Sequence, residues 1–281
     1  MKSVRTALIA ALAALAALSL VVVVHADPVA PSVTEIGHGP TVVFVPSLGL
    51  TRLDWMPTAK RLFADHHVVL VDLPGQNGST LPDPFSLQNA AAALDQVLAH
   101  QPGDSTIVVG HNVGGLVAML ALSAHPERAR GLVLIDTQFK SPLPIADQQR
   151  EMLFRYMDEN YDAFMKMAFA RAGRDSAESA RLLTAMSAVP PVTVKSYLRE
   201  LIAVDANKEL KGLKVPITFA LADRRPGMSW GTISRSLGIE DSTMFTPHRI
   251  ANAGYMVMKD APDSLAAIIG AFSRARLAPA K

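Results

Sequence analysis

The sequence contains no cysteine in its 281 residues. Without a thiol the chain can form no disulfide and has neither a cysteine nucleophile nor a thiolate ligand for a metal. An excess of one charge is lacking as well, since 27 basic and 25 acidic residues give a formal net charge of +2. No block of Lys or Arg interrupts this balance, so we expect no nucleic-acid partner. The His, Asp and Glu residues show no metal-ligand spacing, and we expect neither a metal nor a cofactor.

A long hydrophobic run, from Ala7 to Val24, lies near the start of the chain. Lys2 and Arg5 precede it and the small residue Ala26 follows it, a pattern typical of a secretory signal. We expect residues 1–26 to be a signal peptide and the protein to be secreted or periplasmic, with no membrane span after cleavage. The run is nearly long enough to cross a bilayer, so a retained N-terminal anchor is the alternative. Cleavage would remove Lys2 and Arg5 from the 27 basic residues. The basic residues that remain would equal the 25 acidic residues in number.

Short β-branched runs alternate with segments of helical spacing along the rest of the chain. Such runs predict strands buried on both faces, and the helices between them predict a mostly parallel, doubly wound sheet of the α/β class. A polar lead from Pro31 to Pro40 comes first. The predicted strands are Thr41 to Val45, His67 to Leu73, Thr106 to Val109, Gly131 to Ile135, Val215 to Leu221 and Met244 to Ile250. The predicted core helices are Ser86 to His100, Leu116 to Ala124 and Ser264 to Arg276.

One stretch between these strands has a different composition. Residues 139–211 contain no strand run and divide at Gly173 and at Pro190-Pro191 into four predicted helices. We expect a helical cap there, inserted between core segments 27–138 and 212–281. The helical spacing predicts that its methionine and phenylalanine side chains pack as core, or else line an adaptable apolar ligand site. These side chains are Met152, Met157, Met165, Met167, Phe154, Phe164 and Phe169.

Asn112 stands at the tip of the run Gly110-His111-Asn112-Val113-Gly114. A predicted strand ends just before this run and an apolar helix follows it, so the chain must turn sharply there. In the G-x-S-x-G pattern the same strained turn presents a serine hydroxyl beside backbone N–H groups that can bind an oxyanion. An amide at the tip cannot be deprotonated to a nucleophile at neutral pH.

Taken together, these segments resemble the α/β-hydrolase family over nearly all of the chain after residue 26. The family's oxyanion loop is similar to Thr41 to Trp55, and its D-x-P-G-x-G-x-S turn is similar to Val69 to Ser79. The remaining motifs that carry the resemblance are the Asn112 elbow, Leu132 to Asp136, Pro216 to Asp223, and Ile250 to Tyr255 followed by Asp260-Ala261-Pro262. The resemblance implies a capped α/β-hydrolase fold.

The resemblance also implies where catalytic residues would lie. The family's serine nucleophile corresponds to Asn112, its acid to Asp223 and its histidine to Tyr255, so of the three positions only Asp223 keeps its type. The oxyanion donors would be the backbone N–H groups of Leu48 and Val113. Because a catalytic triad acts as a unit, two replaced members predict a protein that is impaired in ordinary ester hydrolysis.

Each of these three positions has a structural interpretation beside the catalytic one. Asn112 could orient a bound carbonyl or water, or bridge loops through hydrogen bonds. Tyr255 could donate a hydrogen bond, or fill the space of the histidine with its ring. Asp223 could be paired with an arginine, since Arg224 and Arg225 follow it.

Four other residues are alternatives for the missing groups. Ser47 stands in the oxyanion loop and is either a nucleophile or a small turn residue. Asp136 follows a predicted strand, where some members of the family carry the acid. His111, expected to point away from a substrate, and His248, expected on the last strand, are alternatives for the base.

The sequence therefore predicts an α/β-hydrolase-fold protein that is catalytically impaired and binds a small apolar or ester-like ligand, or a partner. The alternative is an active ester-type hydrolase that uses the Leu48 and Val113 N–H groups with Asn112 or Ser47. A lyase or isomerase that needs only a polarising pocket is a third hypothesis. Because function belongs to the site and not to the fold, the fold alone decides between none of these.

Overall fold

The computed structural model describes residues 31–141, 143, 145–223 and 227–277. The expected signal peptide lies outside these residues, as do Arg224 and Arg225. Within the described ranges, no helix has the length and the hydropathy needed to cross a membrane.

The described chain forms one seven-stranded sheet with the spatial order β1-β3-β2-β4-β5-β6-β7. The strands are β1 Val33–Gly37, β2 Thr41–Val45, β3 His67–Val71, β4 Thr106–His111, β5 Gly131–Ile135, β6 Ile217–Ala222 and β7 His248–Ile250. Strand β1 is antiparallel to β3, and all other neighbouring strands are parallel. The β-branched runs of β2, β4 and β5 are completely buried, as expected for a sheet covered on both faces. The predicted α/β class is confirmed.

Helices cover the two faces of this sheet and form the cap. Helices α2, α3 and α8 pack against one face, while α1, α10 and α11 pack against the other. Helices α4 to α7 fall within the predicted cap. The helices are α1 Met56–Ala59, α2 Leu87–Ala99, α3 Val113–Ala124, α4 Asp147–Glu159, α5 Tyr161–Phe169, α6 Ser176–Ser187, α7 Pro191–Ala203, α8 Asn207–Gly212, α9 Trp230–Ser236, α10 Val257–Asp260 and α11 Pro262–Leu277.

Two strand predictions need correction. The polar lead from Pro31 to Pro40 contains strand β1, whose residues alternate between exposed and half-buried. An edge strand needs only backbone hydrogen bonds to its one neighbour, so it carries no continuous apolar run. The last strand is shorter than predicted, because Ser242–Met244 form a 3₁₀ turn before β7.

Helix α7 of the cap lies over the loop that follows the carboxyl end of β3. The Thr193 hydroxyl donates to the Gly75 carbonyl at 3.0 Å, and the Tyr197 hydroxyl donates to the Pro74 carbonyl at 3.2 Å. Burial raises the pKa of the Tyr197 phenol well above its usual range. The cap therefore closes over the edge of the sheet at which the elbow turn lies.

The chain enters and leaves this insertion side by side. Lys140 and Asp205 form an antiparallel bridge, flanked by backbone hydrogen bonds from Ser141 to Val204 and from Ala206 to Phe139, both 2.8 Å long. The Lys140 ammonium also lies 2.8 Å from the Asp205 carboxylate.

The cap's apolar side chains divide into two groups. Met157, Phe164 and Met165 are buried, as expected for core residues. Met152 and Met167 are 55% and 59% exposed, so the prediction of core packing is wrong for these two. They lie on the outer faces of α4 and α5, and helical spacing alone does not reveal which face of a cap helix meets the core.

Candidate functional site

Asn112 occupies a strained turn between β4 and α3. Its φ of 48° and ψ of −113° place it in a region that non-glycine residues rarely adopt, at a cost of about 1–3 kcal/mol. Both flanking glycines are required, because a Cβ at Gly110 would lie 2.4 Å from the Gly115 Cα and a Cβ at Gly114 would lie 2.3 Å from the Pro46 oxygen. The backbone N–H of Asn112 donates to Ile135 at 2.8 Å. The elbow conformation that the glycine pattern predicts is therefore present.

The Asn112 side chain connects the elbow to the oxyanion loop. Its Nδ2 donates to the backbone oxygen of Asp136 at 3.2 Å, and its Oδ1 accepts from the Ser47 hydroxyl at 3.3 Å. The amide orientation follows from these contacts, since a carbonyl oxygen can only accept a hydrogen bond. The Ser47 Oγ also lies 2.6 Å from the Tyr255 hydroxyl, and Ser47 is completely buried. We call Ser47, Asn112 and Tyr255 the elbow cluster.

The direction of the hydrogen bonds within the elbow cluster follows from counting protons. A serine hydroxyl carries one proton, and Ser47 donates it to Asn112. The bond between Ser47 and Tyr255 must then be donated by the tyrosine. Donation thus runs from Tyr255 to Ser47, to Asn112, and on to the Asp136 carbonyl. In this arrangement the tyrosine hydroxyl donates the hydrogen bond to Ser47.

Tyr255 is positioned by a carboxylate from the cap. The Glu178 side chain, on α6, is 2% exposed and accepts from the Tyr255 backbone N–H at 2.8 Å and from the Arg174 backbone N–H at 2.6 Å. A Cβ at Gly254 would lie 2.0 Å from Glu178 Oε1, so a side chain there would displace the Glu178 carboxylate. The Gly254 N–H donates to Asp260 at 2.7 Å. One buried carboxylate therefore joins the cap to the loop that carries Tyr255.

Sequence reasoning missed Glu178. Its only signal is the spacing Asp175-x-x-Glu178, which is typical of a helix start. Asp175 does cap α6, accepting from the Glu178 N–H at 2.7 Å. The contact with Tyr255 joins residues far apart in the chain, and no local pattern encodes it.

The Ser47 hydroxyl forms hydrogen bonds with Asn112 and Tyr255. His111 is completely buried, with its ring centroid 4.8 Å from that of Tyr255 in an edge-on arrangement. His248 is exposed at the start of β7, whereas the elbow lies beyond the carboxyl end of β4.

The two acidic residues occupy neighbouring strand ends. Asp136 is 1% exposed, has a φ of 47°, and accepts from the Ala222 N–H at 3.0 Å through Oδ1. Asp223 accepts from Arg249 at 3.1 Å. The expected arginine pairing of Asp223 is therefore present, but Arg249 supplies the guanidinium, and the adjacent Arg224 and Arg225 fall outside the described residues.

The N–H groups of Leu48 and Val113 flank the elbow cluster, and neither donates a hydrogen bond to another described residue. Leu48 follows Ser47 in the loop after β2, and Val113 is the first residue of α3. Gln76 fixes the loop by accepting from the Gly49 N–H at 2.7 Å. The described residues contain no group of three His, Asp or Glu side chains that could hold a metal.

Comparisons with known proteins agree with this architecture. A model described as the alpha/beta hydrolase family matches residues 42–268. The pimeloyl-(acyl-carrier protein) methyl ester esterase of Pseudoalteromonas atlantica is 27% identical over 232 residues, which cover 76% of this chain and 88% of that protein. The protein of the same name from Vibrio cholerae is also 27% identical, and the match covers 72% of this chain and 82% of that protein.

Solved structures show the same fold. A hydrolase from Oleispira antarctica has a TM-score of 0.71 at 16% identity, covering 88% of this chain and 95% of that one. A thermophilic esterase from Thermogutta terrifontis has a TM-score of 0.68 at 19% identity, covering 87% of this chain and 93% of that one. From the sheet, the elbow and the family match over most of its length, this chain belongs to the alpha/beta hydrolase family.

Proposed function

We propose that this protein is impaired in ester hydrolysis and binds a small apolar or ester-like ligand. The observation that carries the proposal is the direction of donation in the elbow cluster. A serine can attack a carbonyl only when a neighbouring group removes its proton. Ser47 instead donates a hydrogen bond to an amide oxygen, which is not a base at neutral pH, and accepts a hydrogen bond from Tyr255.

The proposed impairment follows from the way in which triad residues act together. Asn112 stands where the family carries its serine, and Tyr255 stands where it carries its histidine. In a comparable hydrolase the loss of the serine or the histidine alone lowers turnover about a millionfold. Backbone oxyanion donors survive such losses, so a site of this kind can still bind a carbonyl group.

The ligand class is inferred from the relatives. Two of them carry a name that specifies a methyl ester of an acyl group as the substrate. We infer that the retained fold, together with the unpaired N–H groups of Leu48 and Val113, favours ligands that resemble an ester in shape and polarity. Binding without turnover distinguishes this function from that of the relatives.

A second candidate function is ester hydrolysis by Ser47. The 2.6 Å contact between the Ser47 and Tyr255 hydroxyls favours it, because the two oxygens lie within proton-transfer distance. The tyrosine would have to act as phenolate, and phenols are mostly protonated at neutral pH. This mechanism therefore predicts a rate that rises with pH as the phenolate form becomes more populated.

Hydrolysis of a panel of activated esters tests both candidates. The panel is applied to the purified full chain and to its Ser47→Ala, Asn112→Ala and Tyr255→Phe variants. The proposal expects all four proteins to show the rate of buffer alone at every pH. Turnover in the wild type that disappears in Ser47→Ala and Tyr255→Phe would overturn the proposed impairment and establish the second function.

Ligand binding needs a separate measurement. We expect uncharged acyl esters to raise the thermal midpoint of the wild type in proportion to the logarithm of their concentration, since a ligand that binds only the folded state stabilises it. If no ester in the panel changes the thermal midpoint and none is hydrolysed, the proposed ligand class is contradicted.

We also propose that the protein is exported and is secreted or periplasmic. The basic residues, the apolar run and the small residue before position 27 support this proposal. Fractionation of expressing cells, followed by N-terminal sequencing, tests it. A new N-terminus at Asp27 in the exported fraction is expected, whereas an intact N-terminus in the membrane fraction favours the retained anchor.

A further inference from the structure

A cavity lies between the cap and the core beside the end of β6. Its volume is about 620 Å³, and its walls are cap residues 170–176 with Ser179, the end of β6, and parts of the segment that includes α9. None of the three elbow-cluster residues lines it. A volume of this size lies within the range of about 300–1,000 Å³ that small-molecule sites occupy.

Apolar side chains form part of the inner surface of this cavity, beside polar and charged groups. Leu221 and Ala222, at the end of β6, are each 4% exposed. Ile233, on α9, and Leu237, directly after α9, are half-buried, and all four residues line the cavity. Half-buried aliphatic side chains gain free energy when a ligand removes their remaining surface from water. This surface suits the hydrocarbon part of a ligand.

Most of the charged groups in the cavity wall already have protein partners. Asp223 accepts from Arg249 at 3.1 Å, and Asp175 is committed to capping α6. The Arg174 guanidinium donates to the Asn252 carbonyl at 3.1 Å and lies 3.7 Å from the Asp260 carboxylate.

Arg171 differs from these groups. It lines the same cavity, and its guanidinium makes no ion pair or hydrogen bond with another residue in the described part of the chain. A guanidinium presents paired N–H donors whose geometry matches a carboxylate. Among the described residues that line the cavity, Arg171 is therefore the charged group without a protein partner.

We propose that this cavity binds a small carboxylic acid with an apolar body. The carboxylate pairs with Arg171, and the hydrocarbon lies against Leu221, Ile233 and Leu237. The proposal goes beyond the ligand-binding function proposed above, because it adds a second site with its own ligand class. It locates the ligand beside Asp223, away from the elbow cluster.

Binding of octanoate to the purified full chain tests the proposal. Octanol and methyl octanoate, which have a similar hydrocarbon part and no charge, are the control ligands. Titration calorimetry compares the wild type with Arg171→Gln. Arg181→Gln is the matched control, since Arg181 is an exposed arginine on α6 that does not line the cavity. Arg171→Gln loses a charge-assisted pair, so it should bind octanoate about tenfold or more weakly than the wild type does. Its affinity for octanol should be unchanged, and Arg181→Gln should bind both ligands as the wild type does.

A second variant tests the location. Ile233→Trp fills the cavity from its apolar side and is expected to weaken both octanoate and octanol, with its fold checked by circular dichroism. Failure of octanoate to bind, or equal octanoate affinity in wild type and Arg171→Gln, overturns the proposal. If the uncharged ligands still bind in that case, the proposed ligand-binding function stands and only the carboxylate site is wrong.

Discussion

Replacement of Glu178 by alanine removes a buried carboxylate that joins α6 to the loop of Tyr255. Two backbone N–H groups, those of Arg174 and Tyr255, lose an acceptor at 2.6 and 2.8 Å. Hydrogen bonds to a charged acceptor contribute about 1.5–3 kcal/mol each, and a buried donor left without a partner costs about 1–3 kcal/mol. Water can enter the space left by the side chain and satisfy part of this loss. We therefore expect the free energy of unfolding to fall by about 3 kcal/mol.

Urea unfolding followed by circular dichroism measures this change, with Glu151→Ala as the control because Glu151 is exposed on α4 and makes no ion pair among the described residues. The unfolding slope should stay constant while the midpoint falls, and the thermal midpoint should drop by about 6–12 °C. Hydrogen exchange should accelerate at the Tyr255 amide before the strands of the sheet are affected. A loss below 1 kcal/mol, or an unchanged Tyr255 amide, would refute the role assigned to Glu178.

Three further predictions concern other positions. Asn112→Gly should be at least as stable as Asn112→Ala in urea, because only the alanine variant keeps a Cβ in the strained conformation. Glycine usually costs about 0.5–1 kcal/mol of stability, so a clearly more stable alanine variant would contradict the strain at this position. Gly110→Ala should lower the free energy of unfolding by about 3 kcal/mol or more, since its Cβ would lie 2.4 Å from the backbone of α3. Gly212→Ala, which has open space around its Cβ, should be neutral or stabilising, and equal effects of the two variants contradict the packing argument. The hydrogen bond from Lys140 lowers the pKa of Asp205 to about 2. The ionised carboxylate therefore stabilises the fold above its ordinary pKa near 4, and this stabilisation disappears as the pH falls towards 2. In an acid titration of stability, Asp205→Asn should lack this pH-dependent loss.

The core of the fold could be predicted from the sequence because its strands are buried on both faces. Burial on both sides demands continuous apolar runs, and those runs are visible without any structure. Strand β1 could not be predicted in this way, since it lies at an edge and mixes Thr34 and Glu35 with apolar residues. Helix α9 was missed as well, because it is short and contains Gly231.

The candidate site was only partly predictable. The glycine pattern predicts the turn at Asn112, and the resemblance to the family marks Ser47 and Tyr255 as residues of interest. Their hydrogen bond joins residues 208 positions apart, and its direction depends on an amide whose orientation Asp136 fixes. The contribution of Glu178 depends on how the cap lies on the core. Long-range contacts of this kind leave no periodic signal in the chain.

The bridge between Lys140 and Asp205 has a consequence for the modular design of this fold. The two ends of the insertion are joined there by backbone hydrogen bonds. The 64 residues between them therefore form an insertion, between β5 and β6, whose ends lie side by side. A short turn joining these two positions would span the gap without moving any strand of the sheet. Caps of different length can therefore be exchanged at this junction, so that the ligand preference of such a protein can change while its folding core remains the same.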